Sequence, residues 1–537
     1  MTRSPYTFSA CALLFGLFAT GCGSNDPAPA KADPLPIGPL EVQTDKGPVE
    51  GVTIGATRAF LGIPYAAPPV GDLRWKPPVP HEPWTETFQA RMKGAPCAQI
   101  GLIGGMLDSA SKEDCLTLNV WAPERLATQA PPVLVWIHGG AFVLGSNRDL
   151  MYDGQVLAEM TGAVVVNINY RLGAFGYLAL SELEAEDSAH PSTGVYGLED
   201  QRAALEWVKN NIAAFGGDPN RVMLFGESAG GISTCMQMVS PQSKGLFQSA
   251  VIESGPCDSV TAKDKALALG AQFVGALGCT GAPDVLACLR GKTTSEVATA
   301  LPSSTDLIFG DGARWFPVLD GWFLPEKPLT LLESGNFNKV PTILGSNADE
   351  GSLFFYLGDT KIADDAQLET FAEQLVPGHG KDVVAQYSSA TYGTAQKAAE
   401  AAVGHAGFVC PTRRAARALA KSGTPTYQYH FTYAPPGSLF PDLGAFHAAE
   451  IKFVFGIPSQ LTPAPLSDEE LVLSSAIQGY WSRLAGSGDP NGKEALAWPK
   501  YDAAKDETMV LDLTSKVESG VNKDICDFWD GLEVQVP

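Results

Sequence analysis

The stretch Arg221-Val222-Met223-Leu224-Phe225-Gly226-Glu227-Ser228-Ala229-Gly230 passes from a short apolar run into a G-x-S-x-G. The apolar half has no polar face, which suits a strand covered on both sides in a parallel sheet. A helical pattern begins near Gly231, so the motif lies on a strand-to-helix turn. Three further runs read the same way. Val133 to Ile137 ends at His138-Gly139-Gly140, Ala163 to Ile168 at Asn169-Tyr170-Arg171, and Val340 to Leu344 at Gly345-Ser346-Asn347. Helical spacing fills the gaps, notably Leu198 to Phe215 with Leu205, Val208 and Ile212 on one face. Strand, loop and helix in alternation predict an α/β fold around a wound, mostly parallel sheet. Ligands of such sheets sit beyond the carboxyl ends of the strands, where these glycine-rich loops fall.

The 537 residues carry 37 Lys+Arg against 59 Asp+Glu, a net charge of −22, and 45% of them are apolar. That apolar share excludes a disordered chain, and the acidity excludes an ordinary nucleic-acid binder. Arg3 and the apolar stretch Phe8 to Ala19 are too short to span a bilayer and read as a secretory signal over residues 1–21. Ala19-Thr20-Gly21-Cys22 resembles a bacterial lipobox, with Ala19 where leucine is usual. Cys22 is therefore the expected lipidated first residue of the mature chain, with ordinary cleavage nearby as the alternative. The protein is expected to be exported, as a periplasmic or outer-membrane lipoprotein or in secreted form. Residues 22–40 read as a proline-rich tether, and residues 41–537, without repeat or second linker, as one domain. Export favours disulfides. Setting aside Cys11 and Cys22 leaves Cys97, Cys115, Cys235, Cys257, Cys279, Cys288, Cys410 and Cys526, whose spacing does not give their connectivity. With no CxxC pair, no metal site is expected.

The glycines of Gly226-Glu227-Ser228-Ala229-Gly230 suit a nucleophile held on a strained turn, where side chains at 226 and 230 would strike the neighbouring strand and helix. A serine hydroxyl is a poor nucleophile without a base and an acid to orient that base. Four histidines follow it. His379 lies in a Pro-Gly-His-Gly turn, His405 in an alanine-rich helical stretch, and His430 in the alternating strand pattern Tyr427 to Tyr433. His447 lies in a small-residue loop ahead of an apolar helix, which leaves room for a substrate and makes it the favoured base. Asp349 and Glu350, after the strand ending at Leu344, are both candidates for the acid, and pattern does not choose between them. The loop from His138 to Phe142 offers backbone N–H groups, and Ala229 at a helix start adds another, as an oxyanion hole requires.

With those residues in place the chain resembles the type-B carboxylesterase family, α/β-hydrolases related to the cholinesterases. The matching motifs are Phe60-Leu61-Gly62-Ile63-Pro64-Tyr65-Ala66, Glu113 to Val120, the His138 loop, Asn169 to Gly173, Phe215 to Pro219, the Ser228 turn, Gly345 to Gly351, and His447 with Glu450. The resemblance implies an α/β-hydrolase fold with insertions around an active-site gorge and glutamate as the acid, hence Ser228, Glu350 and His447. It implies Gly140, Ala141 and Ala229 as oxyanion donors, with Gly139 bending the loop. Relatives usually have glycine where Ala141 stands, and alanine there implies poor acceptance of tertiary-alcohol esters. It implies disulfides Cys97–Cys115, Cys279–Cys288 and Cys410–Cys526; Cys235 is then expected to be a buried free thiol, and Cys257 has no assignment.

The resemblance also bears on substrate. Cholinesterases hold a quaternary ammonium on aromatic faces, yet Ala98 to Asp114 contains no aromatic residue and Leu353 replaces a ring. Choline esters are not expected as preferred substrates. Positions that carry blocking aromatics in acetyl-selective relatives correspond to Asp311 and Ala313, while Phe354 keeps its ring, so acyl chains longer than acetyl are expected. Glu227 and Glu450 are expected beside the imidazole. The implied activity is hydrolysis of a small-molecule carboxylic ester through an acyl-enzyme, with no metal, cofactor or nucleic acid. The alternatives are an amide, carbamate or polyester hydrolase on the same machinery, or a non-catalytic adhesion homologue.

Overall fold

The structure, a computed structural model, describes residues 36–101, 106–301, 313–358, 360–439 and 442–532. The expected signal, Cys11, Cys22 and Asp311 lie outside the described residues. An eleven-stranded sheet runs through the molecule. In chain order its strands are β1 (Val52–Ile54), β2 (Thr57–Pro64), β3 (Thr117–Pro123), β4 (Val133–Ile137), β5 (Val164–Ile168), β6 (Val222–Glu227), β7 (Ser249–Glu253), β8 (Thr342–Asn347), β9 (Thr426–Phe431), β10 (Glu507–Leu511) and β11 (Lys516–Ser519). Their order across the sheet is β11-β10-β9-β8-β7-β6-β4-β5-β3-β2-β1. The pairs from β10 to β5 are parallel, and both margins turn antiparallel. This is the α/β-hydrolase fold expected from the sequence.

The uniformly apolar strands have a simple cause. Val133, Val135 and Ile137 enter one core, while Leu134 and Trp136 of the same strand enter another on the opposite face. Helix α1 (Tyr196–Asn211) and helix α2 (Ala229–Val239) cover the first face through Leu205, Val208, Ile232 and Met236. A later helix, Asp468–Ser487, covers the second through Leu473, Ile477 and Trp481. A third core lies in the insertion between β8 and β9, where Phe355, Phe371, Ala398 and Val403 pack with Cys526 and Trp529. That insertion includes a π-helical turn, His405–Val409.

Three disulfides are those the resemblance implied: Cys97–Cys115, Cys279–Cys288 and Cys410–Cys526. The fourth corrects an expectation. Cys235 is not a free thiol; it is joined to Cys257. The cause is close packing of α2 on the end of β7, where a Cβ on Gly231 would stand 2.6 Å from Glu253 O and 2.9 Å from Gly255 Cα. One turn further along, Cys235 faces the loop that follows β7. The body also begins earlier than composition suggests. Within the proline-rich segment, Leu126 N donates to Pro36 O and Gly38 N to Glu124 O, both at 2.9 Å.

Candidate active site

Ser228 stands between β6 and α2 with φ +56°, in the left-handed region that side chains rarely adopt. Its amide donates to Glu253 O at 2.9 Å. The flanking glycines are required by space. A Cβ on Gly226 would meet Ile137 O at 2.6 Å, and one on Gly230 would meet the same oxygen at 2.0 Å. The turn therefore lies hard against the end of β4 and lifts Ser228 into a cavity of about 380 Å³. Gly139, Gly140, Ala141, Ala229, Glu227, Leu353, Phe354 and His447 all line that cavity.

The two acids after β8 divide their work. Glu350 Oε2 accepts from His447 Nδ1 at 2.6 Å, and its Oε1 accepts from Ser254 Oγ at 2.6 Å and Asn347 N at 2.7 Å. Asp349 clips the backbone of the histidine loop: its amide donates to Ala445 O at 3.0 Å, and its Oδ2 accepts from Ala445 N at 2.8 Å. The pair that sequence pattern could not separate thus serves one loop in two ways. Phe354, on the short helix after Glu350, sets its ring 4.9 Å from the imidazole, and Phe408 of the π-helical turn adds a ring at 4.7 Å.

His447 Nε2 lies 3.2 Å from Glu227 Oε1 and has no hydrogen-bond partner, so the Ser228 hydroxyl and the imidazole are not bonded to each other here. Catalytic hydrogen bonds are often long in unliganded enzymes and tighten with substrate. Glu227, Glu350 and Glu450 are buried around the imidazole, and Glu253 is buried too. Asn347 Nδ2 donates to Glu450 Oε2 at 2.5 Å, and Trp481 Nε1 to Glu253 Oε1 at 2.7 Å. Burial opposes charge on the imidazole, but Glu227, Glu350 and Glu450 outweigh it and hold His447 up at about 9. Burial pushes Glu227 up to about 8 against the pull of His447. Burial, then repulsion from Glu350, pushes Glu450 up to about 7. Carboxylate charge beside the imidazole therefore favours its protonated form, and burial favours the neutral form of Glu227.

Two expectations change on this wall. The loop after β4 is bent by Gly140 (φ +110°), Ala141 (+51°) and Phe142 (+61°), and not by Gly139. Gly139 instead permits a close approach, since a Cβ there would lie 2.8 Å from Glu227 Oε2 and 3.2 Å from Ser228 Cβ. Ala313 packs half-buried against the first core, whereas Phe316 borders the cavity. Leu353 is buried beside Phe354 on the cavity wall. The other downstream histidines stay apart. His379 pairs with Asp382 at 2.9 Å, His405 meets Tyr387 Oη at 3.0 Å, and His430 is a residue of β9. Sequence reasoning passed over Ser254 and Phe408. The place of Ser254 directly after β7 was a usable signal; nothing in the spacing pointed to Phe408.

Comparison with known proteins follows the same line. The model of the carboxylesterase family matches residues 38–529. An acetylcholinesterase of Bungarus fasciatus is 34% identical over 92% of this chain and 86% of its own length. A para-nitrobenzyl esterase of Bacillus subtilis (strain 168) is 37% identical over 89% of this chain and 96% of its own. A solved structure of PNB esterase superposes with a TM-score of 0.78 at 35% identity, covering 91% of this chain and 99% of that one.

Proposed function

This chain belongs to the carboxylesterase family and is a carboxylic ester hydrolase, and from that premise we propose that it cleaves esters of short to medium acyl chains, not choline esters, through an acyl-enzyme on Ser228. The observation that carries this reading is the buried contact of His447 Nδ1 with Glu350 Oε2 at 2.6 Å, in the cavity that Ser228 lines.

Substrate binding brings Ser228 Oγ to His447 Nε2. The oxygen attacks the carbonyl carbon as the imidazole takes its proton, and the carbonyl electron pair becomes an oxyanion at the amides of Gly140, Ala141 and Ala229. The C–O bond to the alcohol breaks as His447 returns the proton to it. Water then attacks the acyl-enzyme with the same base and frees the acid. Glu350 holds the tautomer, and Glu227 and Glu450 favour the imidazolium. The mostly apolar walls, with Leu353 and Phe354, suit acyl chains longer than acetyl.

Four disulfides support an oxidising, extracytoplasmic location. Export by a signal over residues 1–21, with a tether through lipidated Cys22, completes the reading. The test is fluorophosphonate labelling with peptide mapping, run beside a p-nitrophenyl ester chain-length series. Labelling at Ser228 and turnover peaking beyond acetyl are expected, both lost in Ser228→Ala. Labelling without ester turnover would move the assignment to an amide, carbamate or polyester.

A further inference from the structure

The loop after β4 is held by its carbonyls. Tyr170 Oη donates to His138 O at 2.9 Å, and His138 Nδ1 donates to Gly139 O at 2.8 Å. The amides of Val143 and Leu144 both reach Gly140 O at 3.0 Å, and Gly173 N reaches Phe142 O at 2.7 Å. Among the described residues, no protein acceptor takes the N–H of Gly140 or Ala141. The end of the loop is clasped as well. Gln99 Nε2 donates to Gly145 O and Gly145 N donates to Gln99 Oε1, each at 3.0 Å. The same Nε2 reaches Cys97 O at 3.0 Å. Gly145 lies directly on the histidine contact: a Cβ there would be 2.5 Å from His138 Nδ1 and 2.6 Å from Gly139 O.

Peptide planarity turns these contacts into aim. The C=O of Gly139 and the N–H of Gly140 share one plane and point in opposite directions. Fixing the oxygen inside the loop sends the hydrogen outward, where Gly140 lines the cavity. Gly139 O can only accept, so His138 Nδ1 carries the proton, and Nε2 is buried without a partner. Burial pushes His138 down to about 4, which keeps this donor neutral at working pH. Its ring stacks on Tyr170 with centroids 4.5 Å apart.

We propose that His138 and Gln99 are positioning residues that aim the amides of Gly140 and Ala141 at the oxyanion, Gln99 being delivered by the loop that Cys97–Cys115 closes. The inference rests on the reading that those amides stabilise the tetrahedral intermediate. His138→Phe keeps the stacked ring and removes the donor; Gln99→Leu keeps the size and removes the clasp; His138→Asn restores an N–H near the Nδ1 position. For each, kcat and KM on a p-nitrophenyl ester are read beside the melting temperature. The inhibition constant of a trifluoromethyl ketone is also measured, because Ser228 Oγ adds to its carbonyl to give a stable oxyanion.

Loosened aim is expected to lower kcat by about 10- to 100-fold, with KM little changed. The inhibition constant should rise by the same factor, and His138→Asn should recover much of both. If kcat falls while ketone affinity holds, or neither changes, the proposal is overturned. Should His138→Phe fail to fold, Gln99→Leu decides alone. A wild-type chain that neither labels at Ser228 nor turns over ester would sink the functional reading first, and is recognised before any variant is compared.

Discussion

Ala141 holds a backbone conformation, φ +51°, that costs an L residue roughly 1 kcal/mol or more. Its methyl stands on the cavity wall beside two groups assigned to the oxyanion hole. Ala141→Gly should therefore do two separable things. Turnover of a tert-butyl ester should rise relative to a linear ester, because the methyl no longer narrows the approach, and the melting temperature should hold or rise. An unchanged ratio of the two turnover rates would refute the steric account. Glu227 makes an electrostatic prediction. In the proposed mechanism His447 acts as a base only when neutral, so kcat/KM rises with pH through its pKa, which the carboxylates hold up at about 9. Glu227→Gln removes one of them and the imidazole becomes less basic. The rising limb of the pH profile should move to lower pH by about one pH unit, while the plateau falls because the imidazolium loses support. A limb that stays in place would show that Glu227 is neutral throughout. Much of this site was legible in sequence because its chemistry is tied to residues with few substitutes. Gly226 and Gly230 are forced by oxygen contacts, and Ser228 by the turn they allow. Phe408 and Gln99 were not legible, because each acts from a segment whose own pattern serves another purpose.

Helix α2 shows how an element can be readable in part. Its start follows from the strand before it, and its apolar content from burial on every side. The partner of Cys235 did not follow, since that depends on how near α2 rides to the end of β7. Gly231 and Gly255 set that distance, and nothing in their spacing announces it. The resulting Cys235–Cys257 link closes 22 residues of sequence separation behind Ser228. In the chain-entropy picture such a loop contributes about 3 kcal/mol. Cys235→Ala with Cys257→Ala should lower the melting temperature accordingly and reduce activity, because Pro256 and Asp258 next to the link border the cavity. Non-reducing peptide mapping of the wild-type chain checks the premise directly: a peptide containing alkylated Cys235 would return it to the free-thiol expectation. Strands β4 and β6, by contrast, were legible, whereas β7 between β6 and β8 was not read. Val133 to Ile137 and Val222 to Phe225 feed two cores by simple alternation, so apolar residues on both faces are what the geometry demands.

At the scale of the whole molecule, buried titratable groups set how stability responds to pH, and their signs can be added. Glu199 is fully buried, its oxygens take no hydrogen bond among the described residues, and Oε1 lies 3.9 Å from His190 Nε2. Burial, opposed by Arg171, pushes it up to about 8. Glu227 at about 8 and Glu450 at about 7 are raised in the same sense from 4.5. Between about 4.5 and 8 the folded chain therefore holds protons that the unfolded chain has released, and stability falls as pH rises. His447, raised from 6.5 to about 9, extends that fall. His138 and His405 act oppositely. Burial lowers both to about 4, so the unfolded chain binds the extra protons and stability climbs with pH until about 6.5. The two sets oppose each other below pH 6.5, and only the first acts above it. Each proton released on unfolding counts about 1.4 kcal/mol per pH unit. The net charge of −22 adds self-repulsion of the same sign as pH rises. The melting temperature should change little between pH 5 and 6.5 and then fall steadily to pH 9. Glu199→Gln, which cannot ionise, should make the alkaline part of that curve shallower, whatever it does to stability at pH 6. A melting temperature higher at pH 9 than at 6.5 would mean that these carboxylates are solvated in solution.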